Sequence, residues 1–474
     1  MRSFPQHYID GAWTDSEGGV RHTVINPATE APASEIVLGT AADVDKAVAA
    51  ARRAFARFSR TDVAERIALL ERVLSVYKAR AGEIAEAIST EMGAPIALAR
   101  TAQVGSGIGH FKATIDALRN FTFEERVGNG AVVHEPIGVV AMITPWNWPL
   151  NQIVCKVAPA LAAGCTMVLK PSEECPTSAA IFADVLHEAG VPAGVFNLVQ
   201  GDGPGVGTAL SRHPDVDMVS FTGSTRAGIA VARNAADTVK RVHQELGGKA
   251  PSLVLEGADL DRAAQATLQS VLINSGQSCI APTRLLVPRD QQDALVARAK
   301  AVMEATEVGD PAVDGRHIGP LVNRAQWDKV QRLIESAMAE GATLVTGGPG
   351  LPGGVNRGYY VQPTLFADVT NDMTIAREEI FGPVVTIMPY DGEDEAVRIA
   401  NDTVYGLSSV VFGDDAAIRR VVPQLRTGMV YVNGGQPDPS LPFGGYKQSG
   451  NGREHGRFGL AEFLETKAVV GLYA

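Results

Sequence analysis

The chain has 474 residues, of which 45% are hydrophobic and 20% are charged. This length is too great for a single hydrophobic core and predicts two or three domains, while the composition is typical of a folded globular protein. The formal net charge of -11 argues against nucleic acid or an anionic membrane as the main partner, because both favour clustered positive charge.

The N-terminus contains no apolar run behind a basic start, so we expect no signal peptide. The longest apolar stretch, residues 157–169, is too short to cross a bilayer, and no membrane partner is expected. The four cysteines form no CxxC pair and predict no metal site; they are Cys155, Cys165, Cys175 and Cys279. Free thiols in a reducing compartment are expected, so the protein is predicted to be cytoplasmic.

Apolar residues recur at helical spacing over residues 43–58 and 62–90, which predicts that the chain opens with amphipathic helices. Residues 132–144 are predicted to be extended. After them, short apolar segments alternate with helical patterns. The predicted strands are 166–169, 195–199, 217–221, 252–256 and 284–288. The predicted helices are 177–189, 291–305, and two that begin near Ser224 and Asp259.

This alternation predicts parallel sheets with helices on both faces. It occurs over two stretches, about 137–247 and 248–430, and so predicts two α/β domains. Glycine and proline are concentrated in residues 347–358 and 434–456, which predicts loops there.

Cys279 lies in the sequence Asn-Ser-Gly-Gln-Ser-Cys, where small and polar neighbours let a substrate approach the sulfur. The other three cysteines lie among Val, Ala and Pro, as is typical of buried structural cysteines. Cys279 is therefore the candidate nucleophile.

Glu245 follows an extended segment and precedes two glycines. Taken alone, such a carboxylate is typical of a solvated strand end. Beside a nucleophilic cysteine it would serve as the base that activates water.

Residues 221–228, Phe-Thr-Gly-Ser-Thr-Arg-Ala-Gly, join a predicted strand to a helix. Small residues at such a turn let a phosphate approach the free N–H groups of the helix. The spacing is not GxGxxG, and a plain helix start with a Ser or Thr cap explains it equally well.

Seven segments together resemble the aldehyde dehydrogenase superfamily, in that family's order and over essentially the whole chain. They are PWNWP (145–149), KPSE (170–173), FTGST (221–225), ELGGK (245–249), GQSC (276–279), EEIFGP (378–383) and PFGGYKQSGNGRE (442–454). The resemblance implies oxidation of an aldehyde to a carboxylic acid.

In this family a cysteine thiolate attacks the aldehyde carbon, which the resemblance assigns to Cys279. It identifies the Asn147 side-chain amide and the Cys279 backbone N–H as the hydrogen-bond donors to the resulting oxyanion. Glu245 would activate the water that hydrolyses the thioester. Lys156 and Glu454 match positions proposed to carry protons away from this base.

The resemblance also implies a bound NAD, with NADP disfavoured by the acidic pair Glu173 and Glu174. The residues expected to hold NAD are Ile143, Thr144, Trp146, Lys170, Ser172, Glu173, Gly203, Gly207, Phe221, Gly223, Ser224, Gln326, Lys329, Glu379 and Phe381.

The implied fold is α/β, with a Rossmann-like cofactor domain, an α/β catalytic domain and a small β extension for oligomerisation. We assign residues 1–118 and 137–247 to the cofactor domain and 248–459 to the catalytic domain. The extension is expected over 119–136 and 460–474, where its apolar end would pair subunits into a homodimer or homotetramer.

Two other activities stay open. A sister group of enzymes passes the acyl group to coenzyme A, but those enzymes lack the glutamate that matches Glu245. A non-catalytic structural member of the family is the second alternative, which the complete set of catalytic residues disfavours.

Relatives that act on succinic semialdehyde carry, at the position of Cys155, an Arg that can hold the distal carboxylate of the substrate. Here Cys155 and Gln152 are neutral and offer no cation to such a group. Trp148 and the non-aromatic loop 434–441 predict a roomy, largely apolar tunnel. A medium-chain or aromatic aldehyde is the expected substrate.

Overall fold

The structure, a computed structural model, describes residues 2–473. Its strands in chain order are β1 (Arg2–Phe4), β2 (Gln6–Ile9), β3 (Ala12–Asp15), β4 (Val20–Ile25), β5 (Pro32–Leu38), β6 (Glu124–Val127), β7 (Gly130–Pro136), β8 (Val139–Ile143), β9 (Thr166–Lys170), β10 (Phe196–Leu198), β11 (Met218–Thr222), β12 (Arg241–Glu245), β13 (Pro251–Val254), β14 (Arg284–Pro288), β15 (Thr343–Thr346), β16 (Thr364–Ala367), β17 (Val384–Tyr390), β18 (Ser408–Phe412), β19 (Met429–Val432) and β20 (Leu464–Val469).

The α-helices are α1 (Ala41–Phe58), α2 (Val63–Ala79), α3 (Ala81–Met92), α4 (Ile96–Leu98), α5 (Val104–Arg119), α6 (Pro149–Ala163), α7 (Pro176–Glu188), α8 (Thr208–Arg212), α9 (Thr225–Ala235), α10 (Leu260–Leu272), α11 (Gln292–Glu304), α12 (Arg324–Ala339), α13 (Thr374–Arg377), α14 (Glu393–Asn401), α15 (Asp415–Val421) and α16 (Gly456–Glu462). None of the helices between residues 2 and 473 is both long enough and apolar enough to cross a membrane.

The prediction that the chain opens with helices is wrong, because β1 to β5 precede α1. These strands have only three to seven residues, too few for a clear period. Two of them, β2 and β3, complete the edge of a sheet whose other strands lie far along the chain.

The extended segment predicted over residues 132–144 is two strands in two different sheets. The chain changes direction at Gly138, whose φ of 134° suits glycine. A Cβ at this position would collide with the Asp217 carboxylate. That carboxylate accepts the Val139 N–H at 2.7 Å, which fixes the start of β8.

The first seven-stranded sheet has the order β12-β11-β8-β9-β10-β2-β3, and its first five strands are parallel. From one edge inward, these five follow the strand order of a Rossmann sheet, in which the direction of winding reverses beside the first strand. Here the reversal lies between β8 and β11. A ligand is expected at the carboxyl ends of the strands at this point.

Helices cover both faces of this sheet, as predicted. Along β8, Val140 and Met142 face a core formed with α2, α5, α6 and α7. Val139 and Ala141 face the opposite core, formed with α1 and α8. The whole strand is buried because its alternate side chains enter two apolar cores.

The second seven-stranded sheet, β15-β16-β17-β14-β13-β18-β19, is parallel except for β15. It too has an apolar core on each face. Residues 347–358 are irregular, and residues 434–455 are irregular apart from one short 3-10 turn and isolated bridges, as the loop prediction required.

A three-stranded antiparallel sheet, β20-β7-β6, joins the last strand to residues 124–136. The strands of the first seven-stranded sheet lie within residues 1–118 and 137–247, those of the second within 248–459, and those of β20-β7-β6 within 119–136 and 460–474. The domain boundaries themselves stay a prediction.

Candidate active site

Cys279 lies on a tight loop after α10. The loop starts with Asn274 and Ser275 in the left-handed region, at φ of 54° and 57°. Such backbone is costly for residues other than glycine and occurs where a site must be held in one shape. Cys279 is partly exposed, whereas the other three cysteines are buried.

Glu245 is the last residue of β12, and its side chain is only 2% exposed. The alternative prediction from the sequence alone, a solvent-exposed carboxylate at a strand end, is therefore wrong. The turn after it reaches the cysteine loop, because a Cβ on Gly248 would collide with the Cys279 carbonyl oxygen. The turn that follows Glu245 and the loop that carries Cys279 are thus in direct contact.

Asn147 is buried beside the same loop. Its side-chain amide donates to the Gln277 carbonyl oxygen at 3.0 Å. Its own carbonyl oxygen accepts from the Asn274 amide at 2.8 Å and from the Gln103 amide at 3.2 Å. These bonds tie the segment that leads into α6 to the loop before Cys279.

Most of the residues predicted to hold the cofactor lie at the carboxyl ends of the parallel strands of the first sheet, whereas Gln326, Lys329, Glu379 and Phe381 come from the second half of the chain. Ile143, at the end of β8, pairs with Lys170 of β9 on one side and with Phe221 of β11 on the other. The Thr144 N–H donates to the Lys170 carbonyl oxygen at 3.1 Å. This row lies at the reversal point of the sheet.

The Lys170 amine is fixed by two contacts. It donates to the Gly201 carbonyl oxygen at 2.7 Å and pairs with Glu173 at 3.0 Å. Burial raises the pKa of Glu173, but the Lys170 ammonium outweighs it and the pKa is lowered. Gly207 lies beside the Lys170 stem, and the Ser172 hydroxyl oxygen accepts the Glu174 N–H at 3.3 Å.

The turn between β11 and α9 adjoins the candidate base. The Gly223 N–H donates to the Glu245 carbonyl oxygen at 3.1 Å. Ser224 caps α9 and accepts the Ala227 N–H at 3.3 Å. The start of α9 is therefore both capped by Ser224 and placed beside the catalytic candidates. The two interpretations of this motif, a helix cap and a phosphate-binding turn, are compatible.

Glu379 joins the two halves of the site. Its carboxylate accepts the Gly248 N–H at 2.9 Å. Burial raises the pKa of Glu379, opposed by that N–H and by the Lys329 ammonium. Phe381, at φ of 63°, meets Trp146 edge-on with ring centroids 5.4 Å apart.

Two residues predicted to bind the cofactor, Gly203 and Gln326, make few contacts with the other candidate residues. Gly203 is exposed, with open space around its Cα. Gln326 is near the start of α12, where its N–H donates to Asn323 at 2.9 Å. Asn323 in turn donates to Glu174 at 2.8 Å, which links α12 to the KPSE segment.

Lys156 and Glu454 form a buried ion pair behind Glu245. Burial opposes ionisation of Glu454, but Lys156 and His243 outweigh it and lower its pKa to about 2. Cys155 also contacts this carboxylate, with its thiol 3.3 Å from the second oxygen. A surface lysine would have matched the sequence equally well, and the structure excludes it.

Sequence reasoning missed two residues of this cluster. His243 Nε2 lies 3.7 Å from Glu245 Oε1, and His243 Nδ1 lies 3.5 Å from Glu462 Oε2. A signal was present for the histidine, because residues two apart on a strand face the same side. Glu462 comes from α16, more than 200 residues away along the chain, and no local pattern indicates it.

The sequence model of the aldehyde dehydrogenase family matches residues 13–469 of this chain. A 3-succinoylsemialdehyde-pyridine dehydrogenase from Pseudomonas sp is 54% identical over 473 residues, covering 99% of each chain. The match to the family therefore extends over nearly the whole sequence.

Solved structures agree. Aldehyde dehydrogenase C from Pseudomonas syringae, a Cys-to-Ala mutant in complex with NAD+ and octanal, is 50% identical with a TM-score of 0.98, covering 99% of this chain and 97% of that one. A Mycobacterium tuberculosis aldehyde dehydrogenase complexed with NAD+ is 40% identical with a TM-score of 0.96, covering 99% and 98%. On these grounds the chain belongs to the aldehyde dehydrogenase family and is an aldehyde-oxidising enzyme.

Proposed function

We propose that this enzyme uses NAD to oxidise medium-chain or aromatic aldehydes to carboxylic acids, through a thioester on Cys279 that water hydrolyses with Glu245 as general base. The observation that carries the proposal is the direct contact between the Cys279 loop and the turn that follows Glu245. It supports a nucleophile and a base that act on one bound substrate.

Burial changes the acidity of both the nucleophile and the base for hydrolysis. Burial raises the pKa of the Cys279 thiol well above its usual range, and Glu379 and Glu245 raise it further. Burial also raises the pKa of Glu245, to about 7. A carboxylate with a pKa near neutrality suits a group that takes a proton at one step and releases it at another.

Asn147 suits the oxyanion that forms when the sulfur attacks the carbonyl carbon. A side-chain amide has two N–H groups, and the Gln277 carbonyl oxygen occupies one. The other has no acceptor among residues 2–473 and can donate to a developing negative charge, together with the Cys279 N–H. A neutral donor held by buried hydrogen bonds needs little reorganisation during the reaction.

The residues at the carboxyl edge of the first sheet fit a dinucleotide. The Thr144 hydroxyl is buried and has no hydrogen-bond partner among residues 2–473, as expected for a group that meets a ligand. The start of α9, an 11-residue helix, offers N–H groups to a pyrophosphate, and Glu173 offers oxygens to ribose hydroxyls. When bound, NAD would accept the hydride that leaves the substrate carbon.

NAD is favoured over NADP by charge. A 2′-phosphate near Glu173 and Glu174 would meet two carboxylates, of which Glu173 is already paired with Lys170. The Pseudomonas syringae and Mycobacterium tuberculosis structures hold NAD+.

An uncharged substrate tail is favoured by the residues near the site. Lys156 is committed to Glu454, and Cys155 and Gln152 are neutral. The Pseudomonas relative is named for a pyridine-bearing semialdehyde, and the Pseudomonas syringae structure contains octanal. Both names fit the substrate class proposed here.

Hydrolysis is favoured over transfer to coenzyme A because Glu245 is present and buried next to the cysteine loop. A non-catalytic role would leave the strained approach to Cys279 and the buried base without a purpose.

Incubation with hexanal and NAD tests the proposal. The wild-type enzyme should produce NADH and hexanoic acid in equal amounts, and Cys279→Ala should produce neither. Cys165→Ala is the matched control, because that thiol is buried and donates to the Phe463 carbonyl oxygen at 3.3 Å. Equal loss of activity in both folded variants, or acid formation by Cys279→Ala, would refute the assignment.

We also propose that the sheet β20-β7-β6 pairs subunits into a homodimer or homotetramer. Both of its outer strands have free edges within the described residues 2–473, and Val127, Val470 and Leu472 are exposed beside them. Light scattering coupled to gel filtration would measure the subunit number, and a monomer would contradict the proposal.

A further inference from the structure

His243 and Glu245 project from the same face of β12, since side chains two apart on a strand share a side. Both are almost fully buried, at 1% and 2% exposure. The separation of 3.7 Å between His243 Nε2 and Glu245 Oε1 is an ion-pair distance. The candidate base therefore has an imidazole as its immediate neighbour.

Charged groups from three further elements face this imidazole. Glu454 Oε1 lies 4.0 Å from Nε2, and Glu462 of α16 lies 3.5 Å from Nδ1. Lys156 of α6 approaches through its pair with Glu454. The ring also packs on the backbone, because a Cβ on Gly452 would collide with it.

Counting charges shows what the cluster needs. The buried carboxylates of Glu245 and Glu454 and the partly exposed carboxylate of Glu462 face one buried lysine, and Arg241 also acts on Glu462. Buried carboxylates without cations are costly, so a second positive charge is strongly favoured. Burial alone lowers the pKa of His243, but Glu245 and Glu462 outweigh it and raise the pKa to about 9.

We propose that the His243 imidazolium is a positioning residue that keeps the Glu245 carboxylate ionised, and so able to take a proton from water, in a pocket where Glu454 would otherwise repel it. In the hydrolytic step the water oxygen bonds to the thioester carbon, one water proton passes to Glu245, and the bond to the Cys279 sulfur breaks. His243 stays protonated throughout. The inference rests on the proposed role of Glu245.

The pH dependence of thioester hydrolysis tests this role, through the position of the acid limb, the part of the pH–rate profile where the rate rises with pH. A base must be ionised, so the rate rises with pH through the pKa of Glu245, which burial raises to about 7. In His243→Gln a neighbouring positive charge is lost, so the limb should move to higher pH by about one unit or more, with about a tenfold loss of rate on the acid side. The rate at high pH should return close to the wild-type value.

A merely structural role would lower the rate at every pH and leave the limb in place, and that result would overturn the proposal. His243→Lys, which keeps the charge, should restore the limb. His317→Gln is the matched control, since its ring lies on the surface and contacts the Asp310 carbonyl oxygen.

If His243→Gln does not fold, ¹⁵N NMR of histidine-labelled wild type and Glu462→Gln decides. One of the nine histidines should remain an imidazolium above pH 8 in the wild type and titrate at lower pH in the variant. No imidazolium above pH 8 would overturn the proposal. This readout needs no turnover, so it separates failure of the inference from failure of the proposed function.

Discussion

Replacing Glu245 with Gln removes the proposed base while keeping its shape. Neither carboxylate oxygen of Glu245 accepts a hydrogen bond within residues 2–473. We therefore expect the variant to fold and to bind cofactor as the wild type does. What it loses is the group that takes a proton from water.

Loss of a general base slows the step that it serves by about 100- to 10,000-fold. Attack by Cys279 and hydride removal come before that step. Rapid mixing with hexanal and NAD should thus give one burst of NADH equal to the concentration of subunits, followed by very slow turnover. Mass spectrometry of the quenched variant should find a hexanoyl group on Cys279.

Glu86→Gln is the matched control, because Glu86 is exposed on α3, away from the site. It should turn over normally without an adduct. Normal turnover by Glu245→Gln would refute the reasoning outright. Loss of the burst as well would assign Glu245 to the activation of Cys279 rather than to hydrolysis.

Three further predictions concern the cofactor, the substrate and the packing of the site. Glu173→Ser should raise kcat/KM for NADP relative to NAD by about tenfold or more, because like charge is removed and Lys170 is freed; an unchanged ratio would contradict this. Hexanal or benzaldehyde should exceed succinic semialdehyde in kcat/KM, and a tenfold preference for the semialdehyde would reveal a cation that we have not identified. Gly248→Ala should displace the Cys279 loop and lower kcat by about 100-fold, whereas Gly82→Ala on α3, with open space around it, should be neutral in the same assay.

The alternation of strands and helices was predictable because each element carries its own local pattern. From Thr166 to Glu304, observed ends lie within two residues of those expected. The helix predicted over 62–90 divides at Arg80, where the backbone leaves helical geometry at ψ of 10°. No periodic pattern marks that break, because both halves continue the same apolar spacing.

The site could be predicted only in part. Cys279, Glu245 and Asn147 belong to short motifs, which can be recognised directly in the sequence. Glu462 and Gln103 do not, because their places depend on how α16 and the segment before α5 pack. Burial is also hidden from the sequence: Glu245 and Lys156 resemble surface residues until the sheet and helices close over them.

The strand β2, which lies between β10 and the edge strand β3, has a consequence for how this chain is made. Its Tyr8 pairs with Leu198 of β10, about 190 residues later in the chain. A ribosome adding about 5–20 residues per second needs roughly 10–40 s to cover that distance. Throughout this interval β2 has only β3 to pair with, and the edge that later joins β10 stays open to chaperones, proteases and other nascent chains. A fusion at the N-terminus would therefore act first on yield during synthesis, and slower translation of residues 16–198 should lower the yield while leaving the activity of each folded molecule unchanged.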